Sequence, residues 1–252
     1  MRYERKYRVE SIDLASLWQT VKSHPISFRT LFPDRQVNNL YLDTPDMHFF
    51  RENLAGVAVR RKYRIRWYGE DISKASNPVM EVKLKDGELG EKLFKKMDDF
   101  KIESVSSLGT TIDATIASMR KEAVPQLPVS EDEAWRTTNQ GGTIEHDLVE
   151  QSRILHPQVK LRPALLNTYL RSYLISSDGR YRLTIDRSMH FHGFNARLQP
   201  HRRAVQDDAL VMEIKYEAED DHDFSSTISQ RFPFRLGKNS KYVNGLLLVG
   251  NV

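Results

Sequence analysis

Residues 60–68, RRKYRIRWY, alternate cation with apolar or aromatic side chain so regularly that only an extended strand with two unlike faces accommodates them. Arg60, Lys62, Arg64 and Arg66 fall on one face, and Tyr63, Ile65 and Trp67 on the other, because successive strand side chains point opposite ways. The same parity recurs along the chain. Glu81, Lys83 and Lys85 oppose Met80, Val82 and Leu84; Glu4, Lys6 and Arg8 oppose Tyr3, Tyr7 and Val9, with Arg5 an exception on the apolar side. Glu213, Lys215 and Glu217 oppose Met212, Ile214 and Tyr216, and Arg182, Thr184 and Asp186 oppose Tyr181, Leu183 and Ile185. Arg171 shares a face with Tyr169 and Tyr173.

One such strand reads as the solvated outer face of an ordinary sandwich. The set argues otherwise. Its polar faces are mostly Arg and Lys, with a Glu two positions before a Lys in three strands, and the opposite faces are apolar enough to require cover. Charges inside and apolar groups outside, beneath helices, predict a mainly β (α+β) chain: an antiparallel β-barrel tunnel with peripheral helices and a wet cationic lumen. Two like charges about 6 Å apart at an effective dielectric near 20 repel by roughly 3 kcal/mol, so converging cations call for a bound polyanion or interspersed carboxylates. Arg forks match phosphate oxygens and Lys supplies point charge.

Strands are predicted at 2–9, 37–43, 57–68, 78–85, 168–176, 180–187 and 210–217, with turns at Asp86-Gly87 and Asp178-Gly179. Helices are predicted at about 12–23, 110–121, 144–155 and 240–248, the last capped by Ser240. Residues 124–143, with two prolines, an acidic cluster and a Gly pair, read as a mobile loop inside a single domain spanning 1–252. The absence of Cys excludes a disulfide framework, a thiol nucleophile and Cys-ligated metal. No stretch suits a signal peptide or a bilayer span, so the chain is expected to be soluble and cytoplasmic, with room left for a membrane partner protein. Net charge of +4 on 252 residues does not announce nucleic acid, and none is expected as partner. His190 and His192 share a strand face in the manner of zinc ligands, but lack a third ligand nearby. P-loop, kinase glycine-loop, G-x-S-x-G and HExxH motifs are absent.

ERKYRV at 4–9, YLDT at 41–44, RIRWYG at 64–69, EVKLK at 81–85, EKLFKK at 91–96, YLRSY at 169–173, RLTID at 182–186, EIKY at 213–216 and KNSKY at 238–242 occur in one order over nearly the whole chain. In this set the sequence resembles the VTC domain of polyphosphate polymerases, a branch of the triphosphate tunnel (CYTH-like) metalloenzymes. The resemblance implies a tunnel that binds ATP at its basic centre and adds the terminal phosphoryl group to inorganic polyphosphate. It implies that Lys6, Arg64, Arg66, Lys83, Lys92, Arg171 and Arg182 hold phosphates, with Arg64, Arg66, Lys83 and Arg182 catalytic. By the same resemblance Lys238, Ser240 and Lys241 contact phosphate from the start of the last helix, and Glu213 binds Mn²⁺ or Mg²⁺. Glu4 and Glu81 are weighed as helpers for the metal or as salt-bridge partners. The N-terminal segment has one Glu before its Lys rather than the E-x-E-x-K of the wider CYTH-like group, which weighs against a simple triphosphatase. Hydrolysis of triphosphates on the same tunnel, and noncatalytic polyanion binding, remain the alternative readings.

Overall fold

The structure is a computed structural model, and residues 2–10, 12–87, 89–121 and 160–250 are described. In chain order the elements are β1 (Arg2–Val9), α1 (Leu14–Lys22), β2 (Arg29–Asp43), α2 (His48–Ala55), β3 (Val59–Tyr68), β4 (Lys74–Ala75), β5 (Val79–Asp86), β6 (Leu89–Lys96) and β7 (Phe100–Lys101). Then come α3 (Gly109–Lys121), β8 (Arg162–Ile175), β9 (Arg182–His192), β10 (Val205–Asp207), β11 (Leu210–Glu217) and α4 (Lys241–Val249), with short helical turns at 102–107 and 218–231. The expected helix at 144–155 and loop at 124–143 lie outside the described residues.

One large sheet has the order β1-β11-β9-β8-β2-β3-β5-β6, with β10 added to β9, and every pairing is antiparallel. Among the described residues the hydrogen-bonded path ends at β1 and β6. Those ends nevertheless curl toward each other, because Lys83 Nζ on β5 lies 3.4 Å from Glu4 Oε2 on β1. The concave surface therefore closes through its side chains.

The parity reading holds. Tyr63, Ile65, Trp67, Met80, Val82 and Leu84 are buried on the convex side with Ile112, Ile116 and Met119 of α3. Tyr7, Leu183, Ile185, Met212, Ile214 and Tyr216 are buried in a second convex core with Leu17 and Val21 of α1 and Phe224 and Ile228 of the 218–231 turns. Period-two apolar faces thus acquire the helical cover they need. Arg5 is satisfied on its apolar side: Nε donates to Tyr216 Oη at 2.9 Å and Nη2 to Asp221 at 3.0 Å.

A third core lies on the concave side beyond the charges, where Tyr242, Val243 and Leu246 of α4 pack with Val37, Tyr41, Leu165, Phe191 and Val211. Gly245 makes this approach feasible: a Cβ built there would stand 2.4 Å from Phe191 Cδ1 and 2.6 Å from Leu165 Cδ2. Gly245→Ala is expected to destabilise the protein by about 1–3 kcal/mol through overpacking, against a gain of about 1 kcal/mol in helix propensity. Urea unfolding checks this, and a more stable variant would contradict the placement of α4.

Helix α2, strand β6, the short strands β4, β7 and β10 and the first part of β2 escaped the sequence reading, and for α2 and β2 the reasons are identifiable. Helix α2 starts at Met47, whose backbone is left-handed (φ 60°) and whose side chain caps nothing. Its cap comes from Asp43, which accepts from the amides of Phe49 (2.9 Å) and Phe50 (2.8 Å), while the Tyr242 hydroxyl donates to the same carboxylate. Strand β2 begins at Arg29 rather than 37, through a stretch containing Pro33 where the register shifts twice between Thr30 and Arg35. Such irregular pairing destroys alternation. The Asp178-Gly179 turn is present as expected, with Gly179 at φ +77°.

Candidate functional site

Seven strands and the start of α4 bring charged side chains together on the concave face. Lys6 on β1 is opposite Glu213 on β11, and Glu4 is opposite Lys215. Lys6 Nζ contacts Glu4 and lies 3.5 Å from Glu213, while Lys215 Nζ is 2.8 Å from Glu213. Burial works against charge at Lys6, but Glu213 and Glu4 outweigh it and hold the ammonium well above its ordinary range. At Glu213 burial is likewise overcome, here by Lys215, Lys6 and Arg171, and the carboxyl titrates well below the usual range. Burial and repulsion from Glu213 oppose ionisation of Glu4, yet Lys6, Lys83 and Lys215 bring it down to about 2.

A second group sits on β3 and β5. Arg64 Nε donates to Glu81 Oε2 at 2.6 Å, and Arg66 Nη1 lies 3.9 Å from the other oxygen. Arg66 is fixed further by Nε to Asn39 Oδ1 at 2.9 Å and Nη2 to Tyr169 Oη at 3.4 Å. Glu81, 4% exposed, is held below its ordinary range because Arg64, Arg66 and Lys92 overcome burial. Lys92 on β6 is opposite Lys83. Burial, only partly offset by Glu81 and reinforced by Arg64 and Lys215, lowers Lys92 to about 8.

The third group joins β8, β9 and α4. Arg171 clamps Asp186, Nε to Oδ1 at 2.5 Å and Nη2 to Oδ2 at 2.8 Å, and Lys241 contacts the same carboxylate. Arg182, 5% exposed, is opposite Lys215 in register. Thr184, opposite Glu213, has a buried hydroxyl without a hydrogen-bond partner among the described residues. Ser240 caps α4 by accepting from Val243 N and also accepts from Lys62 Nζ at 3.0 Å.

Lys6, Arg64, Arg66, Lys83, Lys92, Arg171, Arg182, Glu213, Ser240 and Lys241 are therefore brought together on this face. Lys238 stands apart: it is exposed, with Nζ 4.0 Å from the position of a Cβ on Gly56 at the end of α2. The extended approach to α4 explains this, since Gly237 is tied to β1 through its amide to the Lys6 carbonyl. Glu81 and Glu4 each touch cations in this structure, Arg64 and Lys6 respectively. His190 and His192 each use Nδ1 on a local carbonyl, of Ser188 (2.9 Å) and His201 (2.8 Å), and no cluster of three His, Asp or Glu suited to a metal occurs among the described residues.

Several members were missed. Asn39, Tyr169 and Asp186 orient Arg66 and Arg171; Tyr169 and Asp186 carried a parity signal, with Arg171 and Arg182, and Asn39 carried none. Lys62 and Lys215 lay on the charged faces, Lys215 within EIKY, but neither was among the expected ligands.

Acidic conditions should weaken the fold through these carboxylates. Glu4, Glu81 and Glu213 titrate lower folded than unfolded, so their contribution is complete above the unfolded value near 4.5 and is lost as pH falls toward 2. Melting temperature measured from pH 5 to pH 3 is expected to fall, and less steeply in Glu4→Gln; equal slopes would contradict the pairing.

No curated protein matches the chain. Among solved structures, an adenylate cyclase-like protein of Vibrio parahaemolyticus shares 12% identity with TM-score 0.47, covering 95% of this chain and 94% of that one. An adenylyl cyclase-like protein of Hippeastrum, described as having a dominant triphosphatase activity, shares 16% identity with TM-score 0.46, covering 99% and 96%. Among the described residues no helix is long and apolar enough to cross a membrane. The VTC domain family matches residues 1–249, and the chain belongs to that family.

Proposed function

We propose that the protein is a metal-dependent polyphosphate polymerase that transfers the γ-phosphoryl group of ATP to inorganic polyphosphate in its concave interior. The observation that carries this reading is the convergence of Arg64, Arg66, Arg171, Arg182, Lys6 and Lys241 on one enclosed face, where Glu81, Asp186 and Glu213 are held below their ordinary range by neighbouring cations. A carboxylate held below its ordinary range is a poor base near neutrality. That suits transfer between two anions, where a terminal phosphate needs little deprotonation, better than activation of water. Phosphoryl transfer depends mainly on positioning and charge stabilisation. Arg66 and Arg171, each oriented by neighbouring side chains, would hold the donor's phosphates as rigid forks. Lys6, Lys83 and Lys92 would offset repulsion between donor and acceptor chains, and Arg64 and Arg182 would stabilise charge on the transferred group.

The donors present fit a divalent cation. Glu213 and Glu4 are ionised carboxylates that repel each other, and the Thr184 hydroxyl, without a hydrogen-bond partner among the described residues, adjoins Glu213 in register. Mg²⁺ and Mn²⁺ take such hard oxygens, with water and phosphate completing the set. Bound there, the ion would neutralise phosphate charge; Lys6, now between the two carboxylates, would turn toward phosphate.

Purified protein incubated with ATP and Mn²⁺ should yield a ladder of polyphosphate on a gel. Phosphate release without a ladder would overturn the polymerase reading in favour of hydrolysis. Binding of polyphosphate without ATP turnover would overturn it in favour of a binding module.

A further inference from the structure

Lys62 belongs to the cationic column of β3 yet differs from its neighbours. Lys6, Lys83, Arg64, Arg66, Arg171 and Lys241 each approach a carboxylate within 4 Å. Lys62 has no such partner among the described residues; its Nζ meets only Ser240 Oγ, at 3.0 Å. Around it stand cations: Arg60 and Arg64 on its own strand, Lys83 opposite it on β5, and Lys6 from β1. Ser240 is followed by Lys241 and preceded two residues earlier by Lys238. On β2 the adjacent acid, Asp43, is engaged by the Phe49 and Phe50 amides and the Tyr242 hydroxyl, and on β1 Glu4 is engaged by Lys6 and Lys83.

We propose that Lys62 is a further ligand for the polyanion, and that polyanion binding is coupled to uptake of one solvent proton by its side-chain amine. The proposal rests on the functional reading above. In the empty site, burial first and then Lys6, Lys83, Arg60 and Arg64 bring Lys62 down to about 7. About nine-tenths of it is then neutral at pH 8. A phosphate chain beside Ser240 replaces that repulsion with attraction, and the amine takes a proton from solvent to become an ammonium bonded to phosphate oxygen. The α4 amino end, where Ser240 sits, favours an anion at the same place. The electrostatic consequence is that the empty tunnel carries less positive charge than its composition implies, and gains charge as the ligand arrives.

Calorimetric titration with tripolyphosphate at pH 8, in buffers of different ionisation enthalpy, measures the protons taken up per ligand bound. Lys62→Arg keeps a cation at this position that cannot lose its proton, so binding should persist while uptake drops by about one proton relative to the native protein. Equal uptake in both proteins would overturn the proposal and leave the functional reading standing. Failure of tripolyphosphate to bind the native protein would overturn both. A measurement on the native chain guards against a misfolded variant: amine acylation at pH 7.5, read by mass spectrometry, should label Lys62 ahead of the exposed Lys22, and tripolyphosphate should protect it. Labelling of Lys62 no faster than Lys22, or without protection, would likewise overturn the proposal.

Discussion

Arg171→Met is expected to lower the melting temperature by roughly 6–12 °C and to abolish nucleotide turnover. Asp186 is fully buried and receives two guanidinium hydrogen bonds from Arg171, so the substitution strands a carboxylate where water cannot reach it. Breaking a buried pair in this way costs about 3–5 kcal/mol, and the remaining contact to Lys241 places this case near about 3 kcal/mol. The loss should shrink at acid pH. Burial opposes ionisation of Asp186, and Arg171 with Lys241 overcomes it in the native protein. Without Arg171 the carboxyl titrates higher and is neutralised sooner as pH falls, removing the uncompensated charge. Thermal melts of both proteins between pH 7 and pH 4 check this, and a pH-independent difference would contradict the pairing.

The second large effect concerns Arg64. Read from parity alone, Arg64 is a surplus cation in a crowded lumen, and its removal relieves repulsion. The structure pairs it with Glu81 through Nε at 2.6 Å, so Arg64→Met should instead cost about 2 kcal/mol by depriving a buried carboxylate of charged hydrogen bonds. Polymer synthesis should fall by about 10²–10³-fold, the typical loss for one preorganised stabiliser of transition-state charge. Adding Glu81→Gln removes the stranded charge. The double variant is expected to regain most of the stability and none of the synthesis, which separates the structural contribution of Arg64 from its chemical one. Recovery of both together would mean that Arg64 acts only as a structural partner.

That revision shows how far the sequence reaches. Alternation along 60–68 and 79–85 specified which side chains face inward, because strand parity is a local property that survives into the folded sheet. It could not specify which cation meets which acid. The Arg171–Asp186 clamp joins β8 to β9, and Lys83–Glu4 spans from β5 to β1, contacts set by curl and register between distant segments. Asp43 illustrates the same limit: four residues before Met47, it looks like the end of a strand, and only the tertiary arrangement makes it the cap of α2 and the anchor of Tyr242. Lys62 and Lys92 were legible as cations. Their lowered basicity depends on burial and on which acids their neighbours already engage. The concave position of α4 was beyond the pattern as well, since a nine-residue helix with Gly245 facing Phe191 has nothing in its sequence to say which side of the sheet it joins.

The central claim is that the enclosed cations form one polyanion site, and thermal unfolding with added tripolyphosphate tests it most directly. At a concentration about 100 times the dissociation constant, binding to the folded state alone adds about 2.7 kcal/mol, a rise of roughly 5–10 °C. Arg66→Met should lose most of that rise, whereas exchange of the exposed Lys74, outside the concave face, should leave it unchanged. No rise in the native protein, or an equal rise in Arg66→Met, would contradict the account.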